Sequence, residues 1–234
     1  MTTPTSFSKQ LNSFLKNKNA NTIHNLELVF GERSFAIVYL LLMAIPALPI
    51  PTGGITHVLE IICVLLATEQ IIGLSGIWLP KRYRSRELPA FIVTKALPAL
   101  TKRVAWLEKY GRRRGANIIN NKWFARFAGL IVLASTLSAF LAPPFSGLDT
   151  LPALGVVVLS VGIIIEDLLF IIAGVFIGLL GIMINVTIGA ELFGYAERFI
   201  KQSTTAQRYW FFGAVTFILL VFFMRHIMSK SSSK

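Results

Sequence analysis

Long stretches without a single Asp, Glu, Lys or Arg constrain the fold of this 234-residue chain more than any other feature. They run over residues 34–58, 127–148, 168–190 and 209–224. A helix needs roughly 20 apolar residues to cross the hydrocarbon core of a bilayer. The sequence therefore predicts an all-α polytopic membrane protein with about six apolar helical segments.

The basic residues are concentrated in one region, because 13 of the 23 Lys and Arg residues lie within residues 81–126. The formal net charge is +12, which could also indicate a nucleic-acid-binding protein. Here, however, the basic residues border apolar segments, as the positive-inside rule predicts for cytoplasmic loops of membrane proteins. We therefore expect a cytoplasmic N-terminus, a cytoplasmic basic loop and no nucleic-acid partner.

We divide the chain into seven segments. The first, residues 1–33, is a cytoplasmic arm in which Phe7, Leu11, Phe14 and Leu15 form the apolar face of an amphipathic helix, expected to lie on the membrane surface. The others are a membrane hairpin (34–80), a basic loop with an interfacial helix (81–126), a second membrane unit (127–190), a polar connection (191–208), a last membrane helix (209–226) and a polar tail (227–234). The basic loop either binds anionic lipid or is a solvated loop that sets topology, and both can hold.

Proline and glycine interrupt both membrane units. Proline fixes φ and removes a backbone donor, so a helix that enters the membrane must end there and the chain can turn. Each unit is therefore predicted to be a helical hairpin. The break residues are Pro46, Pro49, Pro51, Gly53 and Gly54 in the first unit, and Pro143, Pro144 and Gly147 in the second.

The two hairpins show matching spacing. Arg33 precedes Pro51 by 18 residues and Gly54 by 21, and Arg126 precedes Pro144 and Gly147 by the same intervals. This agreement favours an internal repeat. The repeat is parallel if both hairpins cross the membrane, and it is inverted if one of them is re-entrant.

Two adjacent carboxylates, Glu166 and Asp167, separate the apolar runs of the second unit. A carboxylate at the centre of a bilayer costs about 2.5 to 3.5 kcal/mol on insertion scales. The pair is therefore predicted to form an acidic turn between two helices at the membrane surface.

Several ionisable residues within or beside the apolar segments suggest a binding site. His57 and Glu60 are spaced i, i+3 and could share a proton, although a hydrogen-bonded polar pair near the membrane face is the favoured explanation. Glu69 lies deep in an apolar segment and needs a cation such as Arg33 or Arg126. Together these five residues form a hypothetical substrate-binding set for an anionic head group; alternatively, the two arginines only anchor helices.

Catalytic and metal-binding patterns are not found. Cys63 is the only cysteine, so the chain has no multi-thiolate metal site. No serine has a convincing His and acid companion, and no phosphate-binding glycine loop occurs. We expect no metal, no cofactor and no enzymatic activity.

Four strings resemble one known family: LVFGERSFAIVYLLLMAIPALPIPTGG, IGLSGIWLPKRYRSRELP, KALPALTKRVAWLEKYGR and LPALGVVVLSVGIIIEDLLFIIAGVFIGLLG. They resemble the ExoD family of bacterial exopolysaccharide-synthesis membrane proteins over roughly residues 20–190. The acidic turn departs from the family pattern, because no basic residue or glycine accompanies Glu166 and Asp167.

The resemblance implies an integral protein of the bacterial inner membrane that supports exopolysaccharide synthesis or export. It supplies no catalytic residues. A transporter or flippase for a polyprenyl-phosphate or other anionic precursor is the alternative, and a membrane-embedded lipid-modifying enzyme ranks third. The implied partners are membrane lipids, polysaccharide-assembly proteins and a second copy of the chain in a homo-oligomer.

Overall fold

The computed structural model describes residues 6–16, 22–31, 33–49, 55–74, 77, 88–110, 114, 119, 121–143 and 146–202. Within these ranges the regular elements are helices, as the sequence predicts. They are α1 (Phe7–Lys16), α2 (Ile23–Phe30), α3 (Arg33–Met43), α4 (Ile55–Ile72), α5 (Leu97–Tyr110), α6 (Lys122–Leu141), α7 (Thr150–Ile165) and α8 (Leu168–Gln202), with a π-helical segment, Ile92–Ala96, before α5. The chain divides into two compact units, Met1–Val186 and Thr187–Lys234, and the sites described below lie in the first.

Three helices in the described ranges are long and apolar enough to cross a membrane. They are α4, α6 and the Leu168–Glu191 part of α8, with mean hydropathies of 1.8, 1.8 and 2.6. Helices α3 and α7 are apolar but shorter, at 11 and 16 residues. Three of the about six predicted crossings therefore correspond to helices of full length in the described ranges, and the number six stays a prediction. The predicted last membrane helix, residues 209–226, lies outside those ranges.

Four helices pack together, α3, α4, α6 and α7. Neighbouring helices in this group run antiparallel. The start of α3 meets the end of α7, because Arg33 forms an ion pair with Glu166. The end of α4 meets the start of α6, where Gln70 bonds to the carbonyl of Ala125. The starts of α3 and α6 and the ends of α4 and α7 therefore lie together, at what we call the arginine end. The opposite end of the four helices, next to the Pro/Gly segments, is called the break end.

Helices α4 and α7 end with the same backbone motif. Gly73 follows α4 with φ of +92°, and the N–H of Leu74 donates to the carbonyl of Glu69 (3.2 Å). Glu166 follows α7 with φ of +59°, and the N–H of Asp167 donates to the carbonyl of Gly162 (3.0 Å). Both ends are Schellman caps, in which a left-handed residue satisfies the last carbonyls of a helix.

Helix α1 is amphipathic, but its apolar face is covered by protein and not by a membrane surface. Phe7, Leu11 and Phe14 are buried, and the rings of Phe7 and Phe30 lie 5.0 Å apart. The same helix packs against α5. The protein itself supplies the apolar partner of this face, and the position of the N-terminal arm relative to a membrane stays a prediction.

Helices α7 and α8 approach closely at glycines. A Cβ atom built on Gly155 would overlap the backbone of Gly178, and one built on Gly174 would overlap the backbone of Leu159. Small residues of this kind allow helices to pack through van der Waals contact where apolar surface alone gives no preference between protein and lipid. The glycine spacing in α8 thus serves helix packing.

Candidate functional site

The ion pair at the arginine end connects two distant parts of the sequence. The guanidinium Nη2 of Arg33, the first residue of α3, contacts Oε1 of Glu166, the residue after α7. The side chain of Glu166 is buried and that of Arg33 is about one quarter exposed, at 26%. One predicted site arginine is therefore paired with a residue of the predicted acidic turn, and not with Glu69.

The second predicted arginine, Arg126, lies over the end of α4. Its Nη2 atom is 2.9 Å from the position that a Cβ atom on Gly73 would occupy. Its guanidinium carbon is 5.4 Å from the centroid of the Trp123 ring, within cation–π range. Among the described residues no carboxylate forms an ion pair with Arg126, so its charge faces an aromatic ring and a glycine.

A buried amide connects three helices between the two arginines. The Tyr39 hydroxyl of α3 donates to Oε1 of Gln70 in α4 (2.8 Å). Nε2 of Gln70 donates to the carbonyl of Ala125 in α6 (2.9 Å). Because Tyr39 and Gln70 are both buried, these bonds satisfy polar groups that would otherwise destabilise an apolar interior.

A cavity of about 370 Å³ opens at this end of the helices. Gln10, Arg33 and Gln70 supply its polar groups. The other lining residues are apolar or aromatic: Val29, Phe30, Ile119, Phe124, Ala125, Ala128 and Ile163. A guanidinium beside apolar and aromatic side chains fits a ligand that has an anionic head and a hydrocarbon tail.

A smaller cavity of about 70 Å³ lies beside the larger one. Lys122 and Arg126 line it, and Gln70 and Ala125 line both cavities. The structure thus brings Arg33 and Arg126 to the same end of the helices, on either side of the Gln70 amide. This part of the predicted substrate-binding set is spatially contiguous.

Helix α1 covers part of the larger cavity through Gln10. The start of α1 is in turn bound by a residue of α5. The hydroxyls of Ser6 and Ser8 both donate to Oε2 of Glu108, the latter at 2.6 Å. The backbone N–H of Ser8 donates to Oε1 of the same carboxylate (3.3 Å). A negative charge at a helix N-terminus is favourable, so Glu108 anchors α1.

His57 and Glu60 lie together at the break end, away from the arginines. Nδ1 of His57 is 3.3 Å from Oε2 of Glu60, but the atoms are not aligned for a hydrogen bond. The His57 ring centroid is 5.6 Å from that of Phe140 in α6. Glu60 is ten residues before Gln70, about 15 Å along a helix, so the five predicted residues do not form one site.

Other predicted residues occupy several environments. Glu69 lies on α4 with a partly exposed side chain. Asp167 is buried, and its Oδ1 accepts the N–H of Leu169 (3.0 Å) at the start of α8. Of the break residues, Pro46 is buried, Pro49 and Pro143 are exposed, and Gly147 has φ of +71°. The remaining break residues lie outside the described ranges: Pro51, Gly53, Gly54 and Pro144.

In the part of the chain that the structure describes, no group of three or more His, Cys, Asp or Glu residues could hold a metal ion. Cys63 is buried, and its sulfur accepts a hydrogen bond from the Thr136 hydroxyl (3.5 Å). This thiol contributes to packing between α4 and α6.

Sequence reasoning did not identify Gln70, Tyr39 or Glu108 as site residues. Gln70 carried a usable signal, because an amide within the apolar helix Ile55–Ile72 needs hydrogen-bond partners. The hydrogen bond of Tyr39 to another helix, and those of Glu108 to the start of α1, depend on tertiary packing and have no signal in the sequence.

The comparisons with known proteins agree with the family resemblance. The family model described as "Exopolysaccharide synthesis, ExoD" matches residues 7–187. Protein ExoD of Rhizobium meliloti (strain 1021) is 28% identical over 182 residues, which cover 76% of this chain and 72% of that protein. An uncharacterized protein of Synechocystis sp. is 26% identical over 184 residues, covering 75% and 84% of the two chains.

No solved structure matches the chain. The family match nevertheless spans helices α1 to α7 and most of the apolar part of α8, and so includes both ends of the helices described above. The chain belongs to the ExoD family of exopolysaccharide-synthesis proteins.

Proposed function

We propose that this chain is an integral protein of the bacterial inner membrane that supports exopolysaccharide synthesis by binding an anionic, lipid-linked intermediate, without chemically converting it. The observation that carries the proposal is the cavity at the arginine end, where Arg33 and Gln70 meet apolar and aromatic side chains. Polysaccharide assembly on membranes uses precursors with this combination of phosphate and hydrocarbon. The family membership indicates the process, exopolysaccharide synthesis, and the cavity lining indicates the chemical class of the ligand.

The membrane setting of the proposal rests on the three long apolar helices. Their exposed faces carry large apolar side chains, such as Leu65 on α4, Leu130 on α6 and Phe176 on α8. Such surfaces suit lipid and not water. With the basic loop in the cytoplasm, the arginine end faces the cytoplasm, where lipid-linked precursors are made and where anionic lipid would bind the loop.

An internal repeat, parallel in sense, is part of the proposal. Arg126 follows Arg33 by 93 residues, and Glu166 follows Gly73 by the same 93. Each arginine lies against the Schellman-cap residue of the other hairpin, since Arg33 contacts Glu166 and Arg126 contacts Gly73. A two-fold relation between hairpins α3–α4 and α6–α7 accounts for both contacts.

Transport of the same precursor is the second candidate function. It is favoured by the repeat, because paired hairpins that pack around polar groups at the membrane are a common transporter architecture. Under this hypothesis the two hairpins would rearrange to pass the head group across the membrane. Interaction with polysaccharide-assembly proteins is compatible with either candidate.

Complementation tests the proposed function. Cells that lack the gene should regain exopolysaccharide output with the native chain but not with Arg33→Ala, when both proteins are present at equal amounts in the membrane fraction. Arg33→Lys keeps the ion pair with Glu166 but cannot bind phosphate in a bidentate way, so it separates ligand binding from stability. Arg103→Ala, which removes an exposed arginine of α5, is the matched control. Full output from Arg33→Ala would exclude the arginine-end cavity as the functional site.

Reconstitution separates the candidate functions. Purified chain in vesicles that contain a polyprenyl phosphate should leave the lipid chemically unchanged. Movement of the head group between leaflets supports transport, and binding without movement supports the first candidate. A new lipid product would contradict both candidate functions and favour a membrane-embedded lipid-modifying enzyme.

A further inference from the structure

Glu60 is a completely buried carboxyl group in α4, with 0% of its surface exposed. Neither of its oxygens has a hydrogen-bond partner among the described residues. It belongs to the break end and is separate from the arginine-end cavity, so the proposed function does not use it. A buried polar group that lacks partners is costly and calls for a functional explanation.

His57 is a titratable group close to the Glu60 carboxyl. Its Nδ1 atom is 3.3 Å from Oε2 of Glu60, one helical turn earlier in α4. The imidazole packs on Phe140 and is partly exposed, at 29%, whereas Glu60 is enclosed. His57 therefore lies between the buried carboxyl and the outer surface of the helices.

Among the described residues, the other helices that pack against α4 offer Glu60 no positive charge. Asp149, before α7, is close enough to repel a negative charge on Glu60, and Cys63 is the next titratable group along α4. The titratable residues described in α3, Arg33 and Tyr39, contact Glu166 and Gln70 instead. Those of α6, Lys122 and Arg126, line the small cavity at the arginine end.

We propose that Glu60 and His57 form a proton-binding site, in which one proton is held by the buried pair and exchanged through the imidazole. Protonation removes the charge that the surroundings of Glu60 do not compensate. The imidazole of His57, 3.3 Å away and partly exposed, is the path by which a proton would reach the enclosed carboxyl. This inference does not depend on the proposed function, and it holds whichever precursor the cavity binds.

Infrared difference spectroscopy of the purified full chain in lipid nanodiscs tests the site. The spectrum recorded between acidic and alkaline buffer should contain a carboxyl band that Glu60→Gln removes. Glu69→Gln, on the same helix, is the matched control and should leave that band in place. An unchanged band in a folded Glu60→Gln protein, as judged by gel filtration and circular dichroism, overturns the proposal.

A second measurement keeps Glu60 in place, so it remains available if Glu60→Gln does not fold. His57→Gln should move the midpoint of the pH titration of the carboxyl band by about one pH unit or more, because it replaces the ionisable ring that lies 3.3 Å from the Glu60 carboxyl. His24→Gln, which changes a histidine outside α4, should leave the midpoint unchanged. An unmoved midpoint in His57→Gln, or a band that follows sodium concentration at constant pH, contradicts a shared proton site.

Discussion

Arg33 and Glu166 are 133 residues apart in the sequence, yet their side chains form an ion pair that connects the start of α3 to the end of α7. Glu166 adopts a left-handed backbone conformation, with φ of +59°, where glycine is the usual residue. A residue with a side chain costs roughly 1 to 2 kcal/mol in that conformation. The carboxylate at this position therefore offsets backbone strain with a charge interaction.

The first prediction concerns this ion pair. Glu166→Gln should lower the free energy of unfolding by about 1 to 3 kcal/mol, between the values for exposed and for buried pairs, because Glu166 is buried and Arg33 is partly exposed. Glu166→Gly should be less harmful than Glu166→Gln, since glycine relieves the strain while also losing the pair. Unfolding in detergent, analysed as a double-mutant cycle with Arg33→Gln, measures the coupling. A coupling energy of zero would contradict the pair.

The second prediction concerns the buried amide. Gln70→Leu should destabilise the protein by about 1 to 2 kcal/mol, because it removes hydrogen bonds that connect α4 to α3 and α6. Tyr39→Phe should cost less, since it removes only one of them. If the network exists, adding Tyr39→Phe to Gln70→Leu should have little further effect on the unfolding temperature. Fully additive losses would show that the two side chains do not interact.

The third prediction concerns close packing of α7 and α8. Gly174→Ala should destabilise by about 1 to 3 kcal/mol, because the added methyl group would overlap the backbone of Leu159 and force the helices apart. Gly189→Ala is the control in the same helix, where nothing lies within 4 Å of the added atom. Thermal unfolding in detergent compares the variants, and equal melting temperatures would rule out the close approach.

The fourth prediction concerns the covering of α1. Leu11 is completely buried, so Leu11→Ala should cost about 2 to 5 kcal/mol of local stability and increase hydrogen exchange throughout α1. Asn12→Ala changes the neighbouring exposed residue and should leave exchange unaltered. Equal exchange in both variants would mean that the apolar face of α1 is not packed on the protein.

The sequence predicted the local features well. The apolar face of α1 follows from the spacing of Phe7, Leu11 and Phe14, and the apolar runs 34–58, 127–148 and 168–190 contain most of α3, of α6 and of α8, respectively. What covers an amphipathic face is not encoded in its periodicity, which explains why α1 was expected on a membrane surface. Helical periodicity shows that a face is apolar, but lipid and protein can both cover it.

The candidate site was only partly predictable. Arg33, Arg126 and Glu166 were identified as ionisable residues beside apolar segments, where charge is costly and needs a partner. Which partner each one finds depends on how the hairpins pack, and the sequence suggested Glu69 where the structure has Glu166. The separation of Glu60 from Arg33 likewise follows from the antiparallel packing of α3 and α4, which residue spacing does not determine.

Binding of a polyprenyl phosphate to the purified full chain tests the central claim most directly, with native mass spectrometry as the measurement. The proposal predicts that the phosphate binds, that the uncharged polyprenol of equal length competes poorly, and that Arg33→Ala weakens binding about tenfold or more, the loss of one charged hydrogen-bonding group. Arg103→Ala should bind as the native chain does. Equal binding of the phosphate by the native and Arg33→Ala proteins would contradict the assignment of the arginine-end cavity as a site for an anionic lipid.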